Sequence, residues 1–184
     1  MECGAGNGDC TKLLVHLKWW YPFDLVSITD KKLEGKEWMN EVDWRIGLSY
    51  EKLKDFEEDS IGLCIVDTDH NYWTLLQELH ALRPKMKEGG LVVMHDVDDF
   101  YHNSGLAMSY WDDQPYPEKE IMDHSKHGGL GLALIDFLAK YRGEWQLKHW
   151  TPEHHGCAVI EKKTVTQTQV IRPGTDPMFA KKPA

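Results

Sequence analysis

Two short segments of the sequence end in acidic and histidine residues that could hold a cation or move a proton. The segment GLCIVDTDH places Asp67, Asp69 and His70 after one apolar run, and GLVVMHD places His95 and Asp96 after a second. Carboxylates and imidazoles are ligands of hard and borderline divalent cations, and an imidazole or a carboxylate can also serve as a general base. These five residues are therefore the first candidates for a catalytic site.

The elements around these residues predict that they meet in space. Residues 61–67 and 90–96 are typical of buried strands, and residues 71–87 between them are typical of a helix. This is a βαβ unit, and ligands of open α/β sheets bind at the carboxyl ends of the parallel strands. We therefore expect the acids and histidines to lie on one patch at that edge of the sheet.

A purely structural interpretation of the same residues is that an acid after a strand caps the next helix. For Asp69 this alternative carries as much weight as a functional role. For Asp67, His70 and Asp96 together it is weaker, because such groups on adjacent strand ends would repel one another or stay unsatisfied without a cation or a substrate.

The N-terminal loop has the pattern acid-x-Gly-x-Gly-x-Gly and contains the candidate cofactor contacts Glu2, Gly4, Gly6, Asn7 and Gly8. Glycines let the backbone turn sharply and approach a ligand closely, although glycine-rich turns also occur in many unrelated loops. Asp30 ends the next predicted strand, where an acid can bind both hydroxyls of a ribose. Together they indicate an adenosine-containing cofactor.

The charge around this loop distinguishes between cofactors. Glu2 precedes the loop and Asp9 follows it, and two acids disfavour a pyrophosphate. They suit a cofactor with an amino group and a sulfonium, so the loop favours S-adenosylmethionine (SAM) over NAD. Ser49, after the third predicted strand, is a candidate neighbour of the adenine, although a serine at a helix start is more often a cap.

The alternation of strands and helices predicts a Rossmann-like, doubly wound α/β fold with a mostly parallel sheet and a C-terminal antiparallel strand. A central strand normally precedes a glycine-rich nucleotide loop, and only Met1 stands at that place. We therefore expect the first strand to be missing and the natural gene product to start further upstream. Residues 1–163 are predicted to form one domain, with 97–127 as a lid-like insertion and 164–184 as a poorly ordered tail.

Composition narrows the classes of partner. The chain has 184 residues and a net charge of -9, which argues against nonspecific binding to nucleic acid or to an anionic membrane. It shows neither a membrane-spanning run nor a signal peptide, and its four cysteines lack CxxC spacing. We expect a cytoplasmic protein with reduced thiols and a small-molecule partner, and the sequence is compatible with a homo-oligomer.

Two motifs resemble a known family. The patterns are Asp-x-Asp-His-x-Tyr at 67–72 and Gly-Gly-x-x-x-x-His-Asp at 89–96. They resemble the class I SAM-dependent methyltransferases, in the family 24-like group that contains macrocin O-methyltransferase and the cephalosporin-hydroxylase-like proteins. The resemblance extends to about residue 162.

By this resemblance, Asp67 and Asp96 would ligate Mg²⁺ and His70 would be the general base. His95 stands where related enzymes carry an acidic ligand, and an imidazole there would shift the preference from Mg²⁺ toward Mn²⁺, Fe²⁺ or Zn²⁺. The implied reaction is deprotonation of a metal-bound hydroxyl by His70, followed by in-line attack of the oxygen on the sulfonium methyl group.

The leading functional hypothesis is an O-methyltransferase for a small hydroxylated acceptor, such as a sugar or a glycosylated metabolite. A metal-dependent hydrolase is an alternative, because the same acids and histidines could activate water, but the glycine-rich loop and Asp30 speak against it. A noncatalytic, truncated relic that still binds the cofactor is a second alternative. Cofactor affinity separates the first hypothesis from the hydrolase, and methyl transfer separates it from the relic.

Overall fold

The computed structural model describes residues 1–30, 33, 35, 37–68, 70, 72–98 and 129–164. Most of the predicted lid and all of the predicted tail except Thr164 lie outside these residues, as does Asp69. Within the described part of the chain, no helix has the length and apolar character needed to cross a bilayer.

The described residues form an α/β fold around one seven-stranded sheet with the order β3-β2-β1-β4-β5-β7-β6. The first five strands in the chain are parallel, and β7 runs antiparallel to both of its neighbours. This confirms the predicted Rossmann-like class with an antiparallel C-terminal strand. The strands are β1 (Glu2–Cys3), β2 (Val26–Thr29), β3 (Asp43–Ile46), β4 (Ile61–Val66), β5 (Met86–His95), β6 (Trp145–Thr151) and β7 (Cys157–Lys162).

The prediction that the first strand is missing is wrong. The two residues of β1 lie in the interior of the sheet, between β2 and β4. The Met1 carbonyl accepts a hydrogen bond from the Ile65 amide at 3.0 Å. So short a strand can persist because both of its edges are paired, which leaves no exposed backbone groups to satisfy.

Within the described ranges, four helices connect the strands, with short 3₁₀ segments at Glu37–Glu41, Leu53–Asp55 and Glu153–His155. The helices are α1 (Asp9–Lys18), α2 (Ser49–Lys52), α3 (Tyr72–Lys85) and α4 (Leu130–Lys140). Ser49 is the first residue of α2 and not its cap, because Leu48 occupies the N-cap position without a capping side chain.

Buried apolar residues form two clusters, and alternation along β4 assigns them to opposite faces of the sheet. Cys64 and Val66 belong to the larger cluster, with residues of α3 and α4, whereas Ile65 packs against the smaller cluster around Val15 of α1. Successive side chains of a strand point to opposite faces. The carboxyl ends of the parallel strands β1, β2, β4 and β5 therefore meet at one edge of a sheet that is covered on both sides.

Candidate functional site

Four of the predicted acidic and histidine residues converge at the carboxyl ends of β4 and β5, and Asp96 lies at their centre. Its Oδ2 is 3.0 Å from Nε2 of His70, and its Oδ1 is 3.1 Å from Nδ1 of His95. Oδ1 of Asp67 lies 3.8 Å from the same His70 nitrogen and 3.9 Å from the same His95 nitrogen. The structure thus brings together two carboxylates and two imidazoles that the sequence predicts to share a patch.

The backbone around Asp96 is shaped by the turn between β6 and β7. Asp96 itself has a φ of 58°, in the left-handed region that few non-glycine residues adopt. The Asp98 amide donates to the His155 carbonyl at 3.0 Å, and a Cβ on Gly156 would lie 2.3 Å from the Asp98 nitrogen. Only glycine therefore fits at position 156, which the sequence analysis overlooked although Gly156 directly follows the pair of histidines in TPEHHG.

Asp67 is placed by the beginning of the glycine-rich loop. Its amide donates to the Cys3 carbonyl at 2.9 Å, which extends the pairing between β1 and β4 by one residue. A Cβ on Gly4 would lie 1.8 Å from the Asp67 carbonyl oxygen, and Gly4 has a φ of 88°. The glycine at this position thus allows the loop to lie directly against the residue that carries one of the carboxylates.

The two histidines also act on the charge of Asp67. Its pKa lies below the ordinary value of 3.8, mainly because of the nearby His70 imidazole, with a smaller contribution from His95. Partial burial acts in the opposite direction but does not prevail. The Asp67 carboxylate is therefore ionised at neutral pH and is half exposed, as a ligand for an incoming cation should be.

The donor set fits a divalent metal ion. One ligand atom from each of Asp67, His95 and Asp96 can be chosen so that all three lie within 4.8 Å of one another. Adjacent ligands of an octahedral ion at about 2.1 Å lie about 3 Å apart, so small side-chain movements would complete the set. Two carboxylates suit Mg²⁺ or Mn²⁺, and the imidazole favours the transition metal.

The glycine-rich loop has the geometry of a close backbone approach to a ligand. Gly4, Gly6 and Gly8 have φ angles of 88°, 49° and 83°. A Cβ on Gly6 would meet no atom within 4 Å, so there is open space in front of the loop, and Asn7 is exposed. A Cβ on Gly8, in contrast, would lie 2.5 Å from the Leu33 side chain. The loop is packed at its end and open at its middle, where a cofactor would lie.

The two acids predicted to contact the cofactor lie in different environments. Asp30 is exposed at the end of β2, beside β1, as the prediction of a ribose contact requires. Glu2 is buried in β1, and its Oε2 accepts hydrogen bonds from Thr11 at 2.6 Å and from Ser27 at 2.9 Å. Among the described residues its Oε1 has no hydrogen-bond partner, so one acceptor remains available beneath the loop.

Ser49, predicted to lie near the adenine, belongs to a buried network that the sequence analysis did not identify. Its hydroxyl donates to Oε1 of Glu78 on α3, and the Thr68 hydroxyl donates to Oε2 of Glu78 at 2.9 Å. The signal in the sequence is that Glu78 lies in the apolar stripe of α3 with Leu75 and Leu79, where a charged residue is unusual.

A family model matches the part of the chain that carries most of this geometry. The family described as "Methyltransferase domain" (Methyltransf_24) matches residues 21–97. The matched region begins after the glycine-rich loop and runs from before β2 to the end of β5, so it includes Asp30, Ser49 and the acid-histidine cluster. No curated protein matches the sequence.

Solved structures of methyltransferases share the fold. The SAH-bound methyltransferase PaMTH1 of Podospora anserina is 16% identical over 89% of this chain and 70% of its own, with a TM-score of 0.56. CalS11, a TDP-rhamnose 3'-O-methyltransferase of calicheamicin biosynthesis, is 16% identical over 88% and 70%, with a TM-score of 0.54. MycE of the mycinamycin pathway, solved with Mg and SAH, is 18% identical over 92% of this chain, with a TM-score of 0.55.

At these identities the structural likeness shows the fold, and the chain spans only 46% of the length of MycE. The family match adds the region that carries the acid-histidine cluster. The family match and the shared fold confirm the resemblance to class I SAM-dependent methyltransferases that the sequence predicts.

Proposed function

We propose that this chain is a SAM-dependent O-methyltransferase that uses a divalent cation and acts on a small hydroxylated acceptor. The observation that carries the proposal is the contact between Gly4 of the glycine-rich loop and the backbone of Asp67. A methyl donor bound at the loop would therefore lie beside the carboxylates and imidazoles. Such proximity between donor and activated acceptor is what a methyl transfer requires.

The side chains of the cluster have complementary roles in this proposal. Asp67, His95 and Asp96 would hold the cation, which when bound would lower the pKa of an acceptor hydroxyl. His70 accepts the proton of that hydroxyl, because its imidazole is oriented by Asp96 at 3.0 Å and is still one-third exposed. The Asp96 carboxylate then stabilises the imidazolium that forms.

The proposed methylation of oxygen rests on the chemistry of the site, and the proposed sugar acceptor rests on analogy with similar methyltransferases. A cation and a base are needed to activate a weakly acidic hydroxyl, whereas an amine can already be nucleophilic once deprotonated. CalS11 is a TDP-rhamnose 3'-O-methyltransferase, and MycE was solved with Mg and SAH. A sugar or a glycosylated metabolite is therefore the proposed acceptor class, with Mg²⁺ or Mn²⁺ as the cation.

The overall charge supports a small-molecule partner. With a net charge of -9, we propose that the chain acts on small molecules and not on nucleic acid or an anionic membrane. We propose a cytoplasmic location because the four cysteines lack CxxC spacing and fit reduced thiols. The charge itself suits a cationic sulfonium better than a polyphosphate cofactor.

Calorimetric titration with SAM, with and without Mn²⁺ or Mg²⁺, tests the proposal. Saturable SAM binding by the wild-type chain and by His70→Ala, with methyl transfer by the wild type alone, is the expected result. A folded chain that binds Mn²⁺ but not SAM would favour the hydrolase. A chain that binds SAM and cation but methylates no hydroxylated acceptor would favour the noncatalytic relic.

A further inference from the structure

We infer that Glu78 is a positioning residue that connects the metal ligand Asp67 with the cofactor side of the site at Ser49. This inference rests on the proposed function, since it assigns a role within that site. Glu78 lies on α3, away from the strand ends that carry the predicted metal ligands. It acts through two hydroxyl groups that come from different elements of the fold.

The first argument is the burial of the carboxylate. Glu78 has no exposed surface and lies on the face of α3 that carries Leu75, Leu79 and Leu82. A buried carboxylate is costly to desolvate, and a well-packed apolar residue is often at least as stabilising at such a place. A requirement beyond stability would explain a glutamate in this stripe, namely the geometry that its two oxygens impose.

The second argument is the place of Thr68. Strand β4 ends at Val66, so residues 67 and 68 lie beyond the regular ladder. The Asp67 backbone is held on one side by the Cys3 carbonyl and by contact with Gly4. The hydrogen bond from Thr68 to Glu78, at 2.9 Å, is the next anchor along the chain. Without this hydrogen bond, the backbone after Asp67 is held less firmly against α3. The direction of the Asp67 carboxylate then becomes less defined.

The third argument is the place of Ser49. The segment before α2 is joined to the end of β2, because the Gly47 amide donates to the Thr29 carbonyl at 2.9 Å. Thr29 immediately precedes Asp30, the predicted ribose contact. The hydrogen bond from Ser49 to Glu78 fixes the start of α2 against α3 in the same region. One carboxyl group thus ties the cofactor side and the metal side of the site to a single helix.

The two hydrogen bonds of Glu78 can be tested separately by substitution. Thr68→Val removes the hydroxyl on the metal side and nearly preserves the side-chain shape. Ser49→Ala removes the hydroxyl on the cofactor side, and Glu78→Leu removes both hydrogen bonds. Ser60→Ala is the control, because Ser60 lies before β4 at the opposite edge of the sheet and its hydroxyl bonds only locally, to the Glu57 carbonyl. Mn²⁺ and SAM are the probes, and their dissociation constants are measured by calorimetry at a temperature where every variant is folded.

We expect the substitutions to affect Mn²⁺ binding and SAM binding separately. Thr68→Val should weaken Mn²⁺ binding by up to about 10-fold, the lower end of the effect of removing an outer-shell partner, because the Thr68 hydroxyl positions the Asp67 backbone and does not bond a ligand directly. It should change SAM binding by less than about 2-fold. Ser49→Ala should weaken SAM binding and leave Mn²⁺ binding within the same limit. Glu78→Leu should weaken both, although it contacts neither ligand, and Glu78→Gln should recover part of the loss because it keeps one acceptor oxygen.

Two other outcomes would be decisive. If wild-type protein binds both ligands and the variants do so equally well, with only a lower unfolding midpoint, Glu78 stabilises the fold alone and the inference fails while the proposed function stands. If folded wild-type protein binds neither ligand, the proposed function fails and the inference fails with it. Should Glu78→Leu not fold, Thr68→Val and Glu78→Gln still decide the question.

Discussion

Nε2 of His70 lies 3.0 Å from Oδ2 of Asp96, although the two residues follow different strands of the sheet. The Asp96 side chain is only 12% exposed, and its other oxygen contacts His95. Asp96 is therefore shared between the residue proposed to move a proton and a residue proposed to bind a cation. Loss of either histidine should change the environment of the same carboxylate, but with different consequences for binding and catalysis.

Replacement of His70 should remove catalysis and retain SAM binding. For His70→Ala we expect kcat to fall by about 10²- to 10⁴-fold, the usual contribution of a general base, with a SAM affinity close to that of the wild type. Mn²⁺ binding should weaken about tenfold, because His70 is an outer-shell partner of Asp96. His149→Ala is a matched control, because His149 is exposed on β6. A kcat close to that of the wild type in His70→Ala would contradict the assignment of His70 as the base.

Replacement of His95 should change the choice of metal. His95→Asp replaces the imidazole by a third carboxylate, so the affinity for Mg²⁺ relative to Mn²⁺ should rise on the order of tenfold. Competition between the two ions, followed by the electron paramagnetic resonance signal of free Mn²⁺, gives this ratio directly. An unchanged ratio would mean that His95 lies outside the coordination shell.

Addition of one methyl group at Gly4 should destabilise the whole domain. In Gly4→Ala the new Cβ would lie 1.8 Å from the Asp67 carbonyl oxygen, at a φ of 88° that L-residues rarely adopt. We expect the free energy of unfolding to fall by about 2 to 4 kcal/mol, from strain and overlap together. Gly62→Ala is the control, because its Cβ would meet no atom within 4 Å. Equal denaturant midpoints for the two variants would refute the close approach.

Acid should destabilise the protein partly through Asp67. The folded-state pKa of Asp67 lies below its ordinary value of 3.8, so its contribution to stability is present above about pH 4 and is lost as the pH falls through the folded-state pKa. Asp67→Asn should therefore show a shallower loss of unfolding free energy between about pH 5 and pH 2 than the wild type. The effect should be small because the side chain is half exposed. The same charge change in Asp24→Asn, at an exposed position, controls for net charge.

Much of the fold and the candidate site could be predicted because the signals are local. The apolar runs that become β4 and β5 are continuous, and the stretch between them has helical periodicity, which matches α3 at 72–85. Parallel strands joined in this way must present their carboxyl ends at one edge. The meeting of Asp67 and Asp96 follows from that rule alone, before any distance is known.

Tertiary structure decided the features that depend on partners remote in the chain. A two-residue strand has no periodicity to detect, and β1 exists because β2 and β4 pair with its two edges. The pairing of Glu78 with Ser49 and Thr68 joins side chains from three elements, and only packing brings them within hydrogen-bond distance. Sequence by itself determined which residue types stand at the end of each strand, because strand and helix signals are local. The contacts that orient those residues come from the folded chain, because hydrogen bonds and close packing between distant segments have no local signature.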